Sequence, residues 1–246
     1  MATRIIGTNS VFIHVPKTGG VWVEKAMKAA GIKTSRFGHE HGVYDRMIEE
    51  EMTFNGWIPS RIARRIHRGM RRMGFEKQPP RRFCFVRNPL TWYESFWRYK
   101  IDLNWQHWGR EKRPAYWHPN SALNGLDSDD FNEFMWKVMS KRPGYASELL
   151  MRFANPEVDF VGRTENLADD LVTILRKLEI PFDEAELRAT TRTNESQAPN
   201  SRVVWDPDLR KLATQLELPA LVHFGYVNIS DLGGISTPDI RHRGLV

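Results

Sequence analysis

The 246-residue sequence holds one cysteine, Cys84, and no stretch approaching the ~20 consecutive apolar residues that span a bilayer. A lone thiol closes no internal disulfide, and no Cys/His set has the spacing of a zinc site, so neither device is expected to hold the fold together. The opening residues, MATRIIGTNSVFIHVPK, lack a basic segment followed by a long apolar stretch and a small-residue cleavage site. These absences predict a soluble, cytoplasmic chain in a reducing compartment. Internal repeats, low-complexity tracts and disordered linkers are missing too. With 41% hydrophobic residues the chain is long enough for a substantial core, and a single domain over residues 1–246 is expected.

Excess of one charge sign is also largely absent outside one segment. The net charge is +6, yet residues 61–82 alone carry nine Lys/Arg against one acid, Glu76, so the rest of the chain is slightly acidic. A local patch argues for a local anionic contact more than for a protein that coats nucleic acid.

Three short apolar runs are each followed by a helical pattern. Val11 to Val15 is β-branched and apolar, is stopped by Pro16, and leads into a helix over roughly Val21 to Ala30 that Gly31 terminates. Phe83 to Val86 repeats the scheme, again stopped by a proline, Pro89, and followed by a helix that carries Trp92, Phe96 and Tyr99 on one face. Asp159 to Gly162 precedes Leu167, Leu171, Ile174, Leu175 and Leu178 at helical spacing, closed by Pro181. Repeated strand-loop-helix units predict an α/β fold with a parallel sheet flanked by helices. Two insertions are expected, at 56–80 with Ile58, Ile62, Ile66, Met70 and Met73 at helical spacing, and at 102–125, a long ordered loop rich in Trp, His, Pro and Asn. The Gly- and Pro-bearing tail from about 232 to 246 is expected to be mobile.

The first of these turns, Pro16-Lys17-Thr18-Gly19-Gly20, has what anion binding needs: glycines that open the backbone, a helix N-terminus after them, and a cation. Thr18 is expected to add a hydroxyl donor. The loop is not of the GxxxxGK[ST] type, because Lys17 precedes both glycines. In the second unit, FCFVRNPLTWYESFWRY, Arg87 follows a buried strand at once and Ser95 lies further along the helix, a combination suited to a second phosphate. A nucleoside with phosphates at both ends needs two such sites.

The pair VFIHVPKTGG and FVRNPLTWYESFWRY resembles the two donor-binding elements of the membrane-type carbohydrate sulfotransferases and their bacterial relatives, the group that includes the heparan sulfate 2-O-sulfotransferases. FVGRTENLADDLVTIL, RTNESQAP and WDPDLRKLATQLELPALVHFGY are similar to later segments of the same family, so the resemblance runs from about Val11 to Tyr226. It implies a P-loop-like fold and transfer of a sulfuryl group from 3'-phosphoadenosine-5'-phosphosulfate (PAPS) to a hydroxyl, with PAP as product. By resemblance Pro16, Lys17, Thr18, Gly19 and Gly20 form the 5'-phosphosulfate loop, and Arg87 and Ser95 the 3'-phosphate site. The family usually has Thr or Ser where Val21 and Trp22 stand. Trp22 therefore either packs beneath the nucleotide, faces the acceptor, or is a core aromatic, and side-chain contacts to the donor from this turn are in question. Arg163, Glu165 and Asn166 in one loop, and Asn194 and Ser196 in another, either hydrogen-bond the nucleotide or cap helices.

Sulfuryl transfer needs a base for the acceptor proton and positive charge on the departing phosphate oxygens, and demands no metal. Lys17 is the electrostatic candidate. For the base, His39, Glu40 and His41 in FGHEHGVYDRM stand in that order of sequence, and resemblance favours His41 over His39. His14, inside the first strand, reads first as a core histidine. The acceptor is expected to be a carbohydrate or another small hydroxyl-bearing metabolite. The basic segment suits an acidic polysaccharide or a solvated helix face, and Trp105, Trp108, Tyr116 and Trp117 suit sugar stacking or a private loop core. Two other classes stay open: a nucleotide-dependent kinase, against which the lysine placement argues, and a nucleic-acid-binding module, which leaves the two phosphate loops without purpose.

Overall fold

The computed structural model describes residues 2–37, 65, 80–105, 119–191 and 203–228. Both expected insertions lie largely outside them, as do His39, His41, Asn194 and the tail from 229. Among the described residues five strands form one sheet: β1 (Ala2–Ile5), β2 (Ser10–Ile13), β3 (Thr34–Phe37), β4 (Arg81–Val86) and β5 (Phe160–Arg163), in the order β3-β1-β2-β4-β5. The three strands anticipated from sequence are the parallel ones. β2 pairs with β4 from Ser10 opposite Arg81 to Ile13 opposite Cys84, and β4 pairs with β5 from Phe83 opposite Phe160 to Val86 opposite Arg163.

The sheet as a whole is mixed, which corrects the expectation of a parallel one. β1 reaches β2 through the short turn Ile6–Asn9, with Gly7 at φ 85°, and two strands joined so tightly can only run antiparallel. β3 adds on the other side of β1, again antiparallel. β2 also ends two residues earlier than expected, since His14 and Val15 turn out of the ladder towards Pro16, which has no N–H to offer it.

Helices cover both faces. After β2 comes α1 (Gly20–Ala29), after β4 comes α2 (Pro89–Asp102), then α3 (Phe131–Lys141) and α4 (Tyr145–Phe153). After β5 come α5 (Leu167–Lys177), α6 (Glu184–Ala189), α7 (Pro207–Leu216) and α8 (Leu218–His223). Phe12, Phe83 and Phe85 point to the face covered by α1, α5 and α6. Val11, Ile13, Cys84 and Val86 point to the face covered by α2, α3, α4, α7 and α8, as the period of 2 along a strand requires. Each fully buried Phe or Trp contributes roughly 2–3 kcal/mol of hydrophobic stabilisation, and Trp92, Phe96, Phe12, Phe83, Phe85 and Phe134 are all at most 0% exposed. Cys84 lies in the same interior, its thiol pushed up to about 12 by burial. No helix of the described residues is long and apolar enough to cross a membrane.

α2 starts crisply because Asn88 accepts from the Leu90 N–H at 3.0 Å and Pro89 supplies the first helical φ. α7 and α8 are fastened through Glu217, the fully buried residue between them. Its carboxylate accepts from the Tyr93 hydroxyl at 2.6 Å and from the Ser147 N–H and hydroxyl at 2.7 Å each, joining α2 and α4 to the C-terminal pair. Burial raises the Glu217 pKa, and the hydrogen bonds from Tyr93 and Ser147 hold it down. Glu217→Ala leaves the donors on Tyr93 and Ser147 buried without this acceptor. It should cost about 3 kcal/mol, read as a lower urea midpoint at unchanged slope.

Candidate functional site

Parallel pairing in register puts the ends of β2, β4 and β5 at one edge of the sheet. The chain leaving β2 enters α1 on one face, whereas the chain leaving β4 enters α2 on the other. The place where loops part in this way, at the carboxyl ends of the strands, is the usual ligand position in α/β sheets. Lys17 sits on one lip and Arg87 on the other.

The loop's shape follows from its residues. Lys17 has φ 63° and Gly19 φ 80°, so left-handed residues alternate with others, a pattern that lets neighbouring N–H groups converge on an anion. Gly19 takes this conformation freely, whereas for Lys17 it costs roughly 1–2 kcal/mol. Two bonds from the opposite lip hold the strained turn. The Trp92 indole N–H donates to the Pro16 carbonyl at 2.9 Å, and an Arg87 Nη donates to the Lys17 carbonyl at 3.4 Å. Both carbonyls are thus turned towards α2. Gly19 caps α1 without a side-chain acceptor for its N–H groups, and both glycines are closely approached. A Cβ on Gly19 would stand 2.7 Å from Leu167, and one on Gly20 would stand 2.2 Å from the His14 ring.

His14 is therefore the floor beneath the start of α1, and its burial lowers its pKa to about 4. Thr18 departs from expectation. Its hydroxyl, 1% exposed, donates to the Val15 carbonyl at 3.0 Å, so its only proton is committed inside the turn. Trp22 is a core aromatic between α1 and α6, with its N–H donating to the Thr190 carbonyl at 3.0 Å. Val21 beside it is 47% exposed.

The facing lip is built on α2. Arg87 Nε donates to the Thr91 hydroxyl at 3.1 Å, and the Lys17 Nζ lies 3.9 Å from the centroid of the Tyr99 ring. Thr91, Ser95 and Tyr99 follow one another at intervals of four, so half-buried Ser95 lies on the same polar stripe, midway between the two cations' partners. Thr91 and Tyr99 are about 12 Å apart along the helix axis. The structure therefore brings Lys17, Arg87 and Ser95 together at one face. Burial lowers the Lys17 pKa to about 8, with the positive Arg87 next in effect and Asp102 opposing. Burial also lowers that of Arg87, against the pull of Glu165 and Glu94.

Glu165 closes the third side, at the end of β5. One carboxylate oxygen accepts from the Asn88 N–H at 3.0 Å and the other from the Tyr226 hydroxyl at 2.9 Å. Arg163 folds its guanidinium over the Tyr226 ring at 5.2 Å, against Gly225, while its N–H donates to Asp170 at 2.6 Å. Trp105, a candidate sugar platform, instead packs in the core against Phe134 and donates to Asp129 at 3.2 Å. Tyr99, Thr91 and Tyr226 were not singled out as site residues from sequence, although the four-residue steps from Arg87 through Thr91 and Ser95 to Tyr99 are legible there. Among the described residues no group of three or more His, Cys, Asp or Glu is gathered as a metal ion would require. Set against protein-family models, curated proteins and solved structures, the chain matches none.

The left-handed Lys17 gives a direct test of the loop. Lys17→Gly relieves the backbone and Lys17→Ala does not, so the glycine variant should be the more stable of the two by about 1 kcal/mol in urea unfolding. Equal stabilities would mean that residue 17 carries no backbone strain.

Proposed function

We propose that this chain is a sulfotransferase that binds PAPS across Lys17 and Arg87 and transfers its sulfuryl group to a hydroxyl of a carbohydrate or other small metabolite. The observation that carries this reading is the pairing of two half-buried cations, Lys17 and Arg87, on facing loops at the ends of β2 and β4, each partly stripped of water. A ligand with two separate anionic groups relieves both. The motifs that resemble the carbohydrate sulfotransferases fall on these same lips.

PAPS supplies an activated sulfuryl group on its 5'-phosphate. In the reaction the bond between sulfur and the bridging phosphate oxygen breaks as the acceptor oxygen bonds to sulfur. The Lys17 ammonium and the amides at the start of α1 stabilise the charge that gathers on the departing phosphate oxygens. Arg87, with Thr91 and Ser95 beside it, holds the 3'-phosphate through charge-assisted bonds and so fixes the donor's position. The acceptor proton passes to a base, for which His41 and then His39 are proposed, both outside the described residues. The P-loop-like character of the fold belongs to the same proposal.

Calorimetric titration with PAP tests the donor site. Lys17→Ala and Arg87→Ala should each weaken PAP by at least about tenfold. Tighter binding of ATP with Mg2+, or of random nucleic acid, would overturn the assignment in favour of a kinase or a nucleic-acid-binding module. The pH dependence has a definite sign. Below about 8 Lys17 already carries its proton and affinity is level. Above that value the bound anion must draw a proton onto Lys17, and affinity should fall by up to about tenfold per pH unit until the raised pKa of the complex is passed. His41→Ala should leave PAP binding intact and abolish transfer.

A further inference from the structure

The two cations are met by different kinds of surroundings. Arg87 has the carboxylates of Glu165 and Glu94 in electrostatic reach, with Arg98 and Tyr226 also nearby. Lys17 is faced by Arg87 from the end of β4, and by Asp102 and Tyr99 from α2. Its ammonium rests 3.9 Å from the centroid of the Tyr99 ring, well inside the ~6 Å reach of a cation–π contact. An aromatic face attracts a cation through its quadrupole and carries no net charge. A carboxylate in the same place would hold the ammonium equally well but would cancel its field and repel an incoming anion.

We propose that Tyr99 is a positioning residue that holds the Lys17 ammonium on the polar face of α2 and keeps it charged, while leaving its full positive charge available to an anionic ligand. The claim about the ligand rests on the reading of Lys17 as an anion-binding group; the claim about the ammonium does not. Dehydration and the like charge of Arg87 both press Lys17 towards its neutral form. The ring opposes them alongside the more general pull of Asp102. Tyr99 is itself only half-buried, so its ring is available to Lys17 without being an indispensable part of the core.

The test uses the full chain carrying isotope-labelled lysine, with the Lys17 signal identified by its loss in Lys17→Met and followed by NMR across pH without ligand. Wild type should titrate near pH 8. Tyr99→Phe keeps the ring and should titrate at the wild-type midpoint, whereas Tyr99→Leu should titrate lower by about 0.5 to 1 pH unit. A merely structural role for the tyrosine would not separate the two variants in this order. A Leu variant at the wild-type midpoint, or a Phe variant shifted as far as Leu, overturns the proposal. In parallel, PAP at pH 8 should bind Tyr99→Leu about three- to tenfold more weakly than Tyr99→Phe. If wild type does not bind PAP while the lysine midpoints order as stated, the donor assignment fails and the role of Tyr99 on Lys17 stands.

Discussion

Holding Lys17 and Arg87 half-buried on facing lips costs free energy twice, once for stripping water from each charge and again for their mutual repulsion. Much of the surrounding structure answers that cost. Arg87 donates to the Lys17 carbonyl and to Thr91, the Trp92 indole seizes the Pro16 carbonyl, and Tyr99 receives the ammonium. All of these partners except the loop itself come from β4 and the helix it feeds. The loop after β2 is thus shaped less by its own sequence than by the strand pairing that brings β4 alongside it in parallel. A slip of one residue in that register would turn every side chain of the strand to the wrong face and part the two lips.

The same dependence explains what could be read in advance. β2 and β4 stand out because strands buried on both faces are short apolar runs punctuated by proline, whereas the edge strand β5, with Val161 exposed, stands out by the helical pattern that follows it. The antiparallel pair escaped notice because Ala-Thr-Arg-Ile and Thr-Ser-Arg-Phe are four residues each and half or more polar, too brief for a period to declare itself. Their polarity has a structural use. Thr3 on β1 donates to Glu24 of α1 at 2.5 Å, and Arg36 on β3 pairs with the same carboxylate, so these two strands clamp the helix that begins at the Pro16 to Gly20 loop.

Within the site, Lys17 and Arg87 were legible because each comes soon after a buried strand, Arg87 at once and Lys17 past His14, Val15 and Pro16, where only the backbone direction needs to be known. Thr18 and Trp22 could not be placed by that logic. A threonine at a strand-to-helix turn serves a ligand or its own backbone equally well, and only the 3.0 Å bond to Val15 decides between them. Trp22 lies one residue past exposed Val21, and which of the two faces outward depends on the rotation of α1 over β2, fixed by the His14 ring beneath Gly20. Tyr99 misled for the opposite reason. It is expected on one face with Trp92 and Phe96, but those two are fully buried whereas half-buried Tyr99, four residues on from Ser95, carries the polar stripe to the Lys17 ammonium.

The solitary Cys84 has a use of a different kind. It sits at the centre of β4, fully enclosed, with a thiol too basic to ionise at neutral pH and no second cysteine anywhere in the chain. A thiol-directed dye can therefore react only in molecules in which the helices packed over that face of β4 have come away from it. The rate of single-site labelling becomes a clock for the opening of the layer over the strand that leads into Arg87, and slowing of that clock by a small molecule would report its binding without any assay of chemistry.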